Sequence, residues 1–282
     1  MAVILGKWAK RPITISVKPN CLTVSIEGGG GEPAVLSYDY EGRLWTALLD
    51  GITYRRGLDG KMVAKWQQAD RARDRRWLSP DEARQQIEAP ARAQVADLYA
   101  AIQSGDAQIV APLPEQGHHG FRRAIAFDAA RSEQDAARYR QVYLPVGILP
   151  PDQYFAVVLQ AAEGCSFNTC TFCTFYQGRP FRIKPPDDFR AHARAVRDFL
   201  GEGLSLRRTI FLGDANALVI PMKMLLPLVE VVHEVYDVER LGGLYAFLDG
   251  FSGQKKTAAD YAALRERGLK TVYIGMESGH AP

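Results

Sequence analysis

The hydrophobic positions change period near residue 150. Upstream, short β-branched segments alternate apolar with polar residues: Ile13 to Val17, Leu22 to Ile26, Ala34 to Tyr40, Leu44 to Leu49 and Lys61 to Trp66. Turn residues separate them, among them Pro19-Asn20, Glu41-Gly42 and Asp59-Gly60. Alternation between turn signals reads as half-buried strands, so residues 1–67 are expected to form a small antiparallel sheet. Ser79-Pro80-Asp81-Glu82 is a capping box with proline at the first helical position. It predicts a helix from Pro80 to about Ala89, a break or kink at Pro90, and a second stretch from Ala91 to Ile102 ending near Gly105. Residues 106–150 carry no decisive period. Pro145, Pro150 and Pro151 mark a boundary, giving an amino-terminal β-rich α+β domain (1–150) and a second domain (151–282).

Beyond the boundary the pattern is of another kind. Phe155 to Leu159 is a continuous apolar run, as in a strand buried on both faces. Pro185-Pro186-Asp187-Asp188 opens a helix with an apolar stripe of Phe189, Ala193, Val196, Phe199 and Leu200. Strand-like Thr209 to Leu212, a helix from Pro221 to Tyr236, strand-like Leu244 to Leu248, a helix capped by Thr257 and Asp260 and stopped at Gly268, and strand-like Thr271 to Ile274 complete the series. The order β-α-β-α-β-α-β predicts an α/β unit with a parallel sheet and right-handed crossovers. Such sheets gather their chemistry at the carboxyl ends of the strands. Here those ends carry a cysteine loop, Gly213-Asp214, Asp249-Gly250 and Gly275-Met276-Glu277.

Composition and charge narrow the classes. With 47% hydrophobic and 24% charged residues the chain is an ordinary globular protein with a real core. The net charge of +3 comes from residues 1–150, too small an excess for a dedicated nucleic-acid binder. Ala2 to Leu5 is too short for a signal core, and the longest apolar run, Ala217 to Val232, is broken by Pro221, Lys223, Pro227 and Glu230. No membrane is therefore expected, and the clustered cysteines argue for a reducing, cytoplasmic compartment. Three local features carry less. Gly28 to Gly31 lacks the Gly-Lys-Ser/Thr of a phosphate loop and reads as a turn. Arg71 to Trp77 (RARDRRW) has the composition to follow phosphates, but reads more simply as a solvated connector with Trp77 docked on the core. His118-His119 is expected in a glycine-flanked loop with no carboxylate spacing for a metal.

Three of the four cysteines, Cys165, Cys170 and Cys173, fall within nine residues as C-x4-C-x2-C. Thiolates this close suit a metal or an iron–sulfur cluster. Structural zinc wants four ligands, and His192 lies far along a helix while Cys21 belongs to the other domain. A plant-type ferredoxin shares the spacing but requires a later cysteine, and none follows Cys173. A [4Fe–4S] cluster on three thiolates keeps one iron open to a small molecule.

On these residues the second domain resembles the radical S-adenosylmethionine superfamily. The likeness rests on the cysteine loop after the first strand, on the aromatic in Cys170-Thr171-Phe172-Cys173, on Leu212-Gly213-Asp214 where that family has Gly-Gly-Glu, and on Ile274-Gly275-Met276-Glu277-Ser278-Gly279 after the fourth strand. The first cysteine gap is one residue longer than the commonest spacing, and Asp214 is shorter than glutamate. The resemblance implies a partial (β/α) barrel of about four of the family's six βα units, completed by a partner or a missing carboxyl-terminal segment. It implies a [4Fe–4S] cluster on Cys165, Cys170 and Cys173, and S-adenosylmethionine contacted by Phe172, Gly213, Asp214, Gly275 and Glu277. Reductive cleavage of the cofactor would yield a 5′-deoxyadenosyl radical that abstracts hydrogen from a substrate, with an electron donor as a further partner. Arg179, Arg182 and Lys184 are expected either to offset the negative charge or to lie on the surface. Small molecules and RNA both stand as substrates, since members with this kind of core act on tRNA. The rival readings are a non-catalytic iron–sulfur electron carrier, an inactive fragment of a longer enzyme, and a zinc module.

Overall fold

The computed structural model describes residues 1–28, 33–68, 71–250 and 253–275. Contacts divide the chain into two units, Met1–Arg140 with Leu200–Leu206, and Gln141–Phe199 with Arg207–Pro282. The division falls before the expected Pro150. Residues 141–150 are tied to the second unit: the Tyr143 hydroxyl donates to the Val158 carbonyl (3.0 Å), and the Leu144 backbone pairs with the Gln160 amide (3.1 and 3.2 Å).

The first unit is built on a nine-stranded antiparallel sheet, larger than the sequence suggests. Its strands are β1 (Ala2–Trp8), β2 (Arg11–Val17), β3 (Leu22–Ile26), β4 (Ala34–Tyr38), β5 (Leu44–Leu49), β6 (Ile52–Arg56), β7 (Met62–Gln67), β8 (Arg73–Leu78) and β9 (Gln108–Ile109). From β1 to β8 each strand pairs with its neighbour in sequence, and β9 pairs with β1 on the far side. Four strands escape the pattern reading: β9 is only two residues long, and the other three each have their own reason. In β1 both faces are apolar, because Ile4 is buried while Val3 and Leu5 are half-exposed. β6 puts no residue fully into the core. β8, expected as a connector, is exposed at every position but Leu78.

One face of the sheet is apolar and carries the core. Ile15, Val24, Leu36 and Met62 meet Ile87, Val95, Leu98 and Phe121 of a helical layer. That layer comprises the single turn α1 (Pro80–Glu82), a π-helical segment (Ala83–Glu88), α2 (Ala89–Ser104), α3 (Glu115–Ala126) and α4 (Ala129–Val142). The capping box at Ser79 and Glu82 forms as read. Pro90 does not break the helix. It sits in the first turn of α2, and the preceding π winding accommodates its missing N–H and its ring. His118-His119 lies on α3 rather than in a loop. The Tyr99 hydroxyl bonds His118 Nδ1 (3.0 Å) and Glu202 bonds His119 Nε2 (2.5 Å).

The second unit is built on a four-stranded parallel sheet in the order β10 (Ala156–Gln160), β13 (Thr209–Gly213), β14 (Leu244–Leu248) and β15 (Leu269–Ile274). Ile210 pairs with Val157 on one side and Leu244 on the other. Crossovers run through α5 (Pro186–Leu200), α6 (Met222–Val235) and α7 (Ala258–Glu266). The stripe read on α5 is buried throughout, with Phe189, Ala193, Val196, Phe199 and Leu200 at most 1% exposed. Among the described residues β10 and β15 each pair on one side only, so the sheet is open and no barrel closes. A short antiparallel ladder, β11 (Ala162–Glu163) with β12 (Arg182–Ile183), stands beyond β10. The architecture is mixed α/β, with a large antiparallel sheet, a parallel sheet and this two-stranded ladder among the described residues.

Candidate metal centre

The ladder explains the cysteine segment. Pairing of Ala162 with Ile183 and of Glu163 with Arg182 closes residues 164–181 into one loop at the carboxyl end of β10. Gly164 starts the loop with φ of +73°, and a Cβ there would stand 2.6 Å from the Arg179 carbonyl oxygen. Only glycine lets the two ends of the loop pass so closely. Cys165, Cys170 and Cys173 are half-buried and in no disulfide. The Cys173 N–H bonds the Cys170 carbonyl (3.3 Å), setting the last two in one turn, and the Asn168 N–H points at Cys165 Sγ (3.5 Å). Donors to sulfur of this kind tune an iron–sulfur centre.

Asp214, at the carboxyl end of β13, pins both ends of the loop. Its Oδ2 accepts from the Gly164 N–H (3.3 Å) and from Arg179 (2.7 Å). The Tyr176 hydroxyl is a further partner. The Asp214 side chain is 2% exposed. Burial raises the pKa of its carboxyl above the ordinary aspartate value, and the Arg179 guanidinium opposes that shift. Arg179 also donates to the Pro145 carbonyl (3.2 Å) and lies over the Tyr176 ring. Asp214, expected to accept from a cofactor ammonium, is thus engaged by the loop itself. Arg182 and Lys184 are likewise committed. Both bond Glu163 (2.9 and 3.0 Å). The Arg182 hydrogen bond is the chief cause that holds the Glu163 carboxyl down at about 2, against the opposing effect of its burial. None of the three cations expected to offset a cluster's charge is left unpaired.

The remaining predicted positions fall on the same rim or beyond the described residues. Phe172 is 67% exposed, with Phe167 and Phe175 also more than half exposed on the loop. A Cβ at Gly213 would meet only ordinary contact, Val158 Cγ1 at 3.6 Å, so packing within the chain does not demand glycine there. Gly275 is exposed just after β15. Glu277 lies outside the described residues.

The rim also carries a residue that the motif reading passed over. Asn216 is 4% exposed, its Nδ2 donates to Asp249 at the end of β14, and its Oδ1 is buried with no hydrogen-bond partner. Buried acceptors are nearly always satisfied, so this oxygen is available to a further donor. Its only signal in sequence is the short step from Asp214.

Two tests bear on what these residues fit. Among the described residues no three His, Cys, Asp or Glu side chains are placed to hold one metal ion. Three thiols on the corners of a cluster stand farther apart than three on a single ion, and the soft sulfur donor set suits iron–sulfur chemistry. The three thiols and the Asn216 acceptor are the groups on this rim with the donor and acceptor chemistry to take a further ligand. Comparison with family models, with curated proteins and with solved structures finds no match for the chain.

Proposed function

We propose that the second unit holds a [4Fe–4S] cluster on Cys165, Cys170 and Cys173 and acts as a radical S-adenosylmethionine enzyme. The observation that carries the reading is the closed loop: three thiols on one segment, pinned by Asp214 on the carboxyl rim of a parallel sheet. When bound, the cluster and cofactor would supply reductive cleavage of a sulfonium C–S bond and hydrogen-atom abstraction from a substrate.

The chain's own residues then have positional tasks. The β11–β12 ladder and Asp214 fix where the thiols stand, so that little conformational entropy remains to be lost on loading. Phe172 offers an exposed ring against which an adenine can lie. Gly213 leaves room for close approach of a ligand at the end of β13. Asn216 Oδ1 is the acceptor for the cofactor's ammonium or a ribose hydroxyl, a task expected at first of Asp214. Gly275 and Glu277 complete the cofactor contacts in this reading. An electron donor is required, and the substrate is a small molecule or an RNA.

Anaerobic reconstitution with iron and sulfide tests the cluster. The expected result is about four irons and four sulfides per chain, lost on Cys165→Ala, Cys170→Ala or Cys173→Ala. Stoichiometric zinc without sulfide would establish the zinc module instead. An intact cluster that never yields 5′-deoxyadenosine from S-adenosylmethionine and dithionite would leave the electron carrier.

A further inference from the structure

The outer face of β6, β7 and β8 presents cations and an aromatic ring that the proposed chemistry does not use. Register places them together. Thr53 pairs with Lys65, Lys65 with Arg75, Arg55 with Val63, Val63 with Trp77, and Gln67 with Arg73. Residues directly opposite share a face, as do alternate residues along a strand. Arg55, Lys65, Arg73, Arg75 and Trp77 therefore stand on one face, and all five are exposed. Trp77 is 62% exposed, so it is not docked on the core as the sequence suggested. The opposite face of the same strands is the inner one, where Met62, Ala64 and Leu78 join the core.

Among the described residues the charge on this face is of one sign. Among the described residues Arg55, Lys65, Arg73 and Arg75 make no ion pair, whereas Arg56 and Arg76, one step out of phase, pair with Glu88 and Glu82. The four cations line one shallow concavity with Thr53 and Gln67. Asp74, which also lines it, alternates to the other face, and its carboxylate accepts from Gln68 and from the Arg75 N–H. Along β8 the row runs Arg73, Arg75, Trp77, at steps of about 6.8 Å, with Lys65 about 4.8 Å to the side.

Arginines on an edge strand also guard against pairing with other chains. Edge protection, however, calls neither for cations on the interior strands β6 and β7 nor for an indole left in water at the end of the row. A row of unpaired cations ending in an exposed ring is complementary to a phosphodiester backbone with a base to stack. We propose that the outer face of β6–β8 binds single-stranded nucleic acid, with Arg55, Lys65, Arg73 and Arg75 on successive phosphates and Trp77 stacked on a base. Thr53 and Gln67 supply hydroxyl and amide groups to the sugar and base edges. The surface belongs to the first unit alone and does not depend on the cluster.

Fluorescence anisotropy of the full chain with labelled oligouridine and oligothymidine of fifteen nucleotides tests this. Four phosphate contacts predict that log K falls against log salt with a slope of about −3. Arg73→Ala/Arg75→Ala should flatten the slope to roughly half, and Arg73→Lys/Arg75→Lys should restore it. Trp77→Ala should weaken binding roughly 5- to 150-fold with the slope unchanged. All these positions are exposed, so circular dichroism should match the wild type. Failure of the wild type to bind either oligonucleotide at 50 mM salt overturns the proposal. So does wild-type affinity in both variants. Tighter binding to duplex than to single strands, or to heparin with no dependence on Trp77, shows a general polyanion surface and overturns it equally.

Discussion

Asp214 illustrates how a residue's type can be legible while its task is not. A carboxylate at the end of the second parallel strand stands out in sequence. That it anchors Gly164, Tyr176 and Arg179 depends on chain segments 35 to 50 residues away meeting at one atom. Asp214→Asn removes the buried carboxylate that pairs with the partly buried Arg179 and should cost about 3 kcal/mol. Limited proteolysis should then cut within residues 164–181 faster than in the wild type. Asn216→Ala makes the complementary case. Cluster loading should be unchanged, whereas S-adenosylmethionine should bind about tenfold weaker by isothermal titration, the loss of one hydrogen bond to a charged group.

His192 carries the pH dependence. Its Nε2 accepts from the Gln160 N–H (3.0 Å) and its ring bonds the Val142 backbone. Burial, with Lys184 nearby, pushes it from its ordinary value of 6.5 down to about 4. The unfolded chain therefore takes up the proton first as pH falls. Stability is fully present above about 6.5 and is lost progressively toward about 4. Urea midpoints across that interval should show the slope, and His192→Gln should flatten it.

At the scale of elements, the sequence reveals strands best where one face is apolar and the other polar. β2, β3 and β5 follow that rule and were legible from the residues alone. β8 does not, because its inner face is mostly solvated and its outer face is charged. Nothing local distinguishes such a segment from a connector; its pairing with β7 does. Helix continuity through Pro90 was hidden for a different reason, since π winding has no sequence pattern of its own. The expected caps at Ser79 and Thr257 formed, because a capping box is a purely local device. One link joins the elements of the first unit. Arg43 is 2% exposed and binds Asp135 through two nitrogens (2.9 and 2.6 Å), Asp39 (3.4 Å) and the Leu200 carbonyl (3.2 Å). Arg43→Met would leave Asp135 only the longer contact with Arg56 (3.4 Å) and Asp39 only backbone donors, and should lower stability by about 3 kcal/mol in chemical denaturation.

At the scale of the whole molecule, the change of hydrophobic period near residue 150 separates two sheets of different kind, and the structure holds both. The order of parallel strands was readable because continuous apolar runs alternate with amphipathic helices. Closure was not, since a barrel is a property of strands that must find partners, and β10 and β15 are paired on one side only among the described residues. One face of the parallel sheet carries Phe211, Tyr245, Phe247 and Tyr273, with ring centroids 5.2 to 6.4 Å apart. Phe211 is fully buried at the centre of this cluster, so the rings form a packed layer against the sheet.

The central claim is that three thiolates on one pinned loop hold a cluster with an open iron for S-adenosylmethionine. Reconstituting the full chain without oxygen, reducing it with dithionite, adding S-adenosylmethionine and assaying 5′-deoxyadenosine by chromatography tests it most directly. The account predicts 5′-deoxyadenosine from the wild type and none from Cys170→Ala. A fully loaded, reduced cluster that leaves S-adenosylmethionine intact would contradict it.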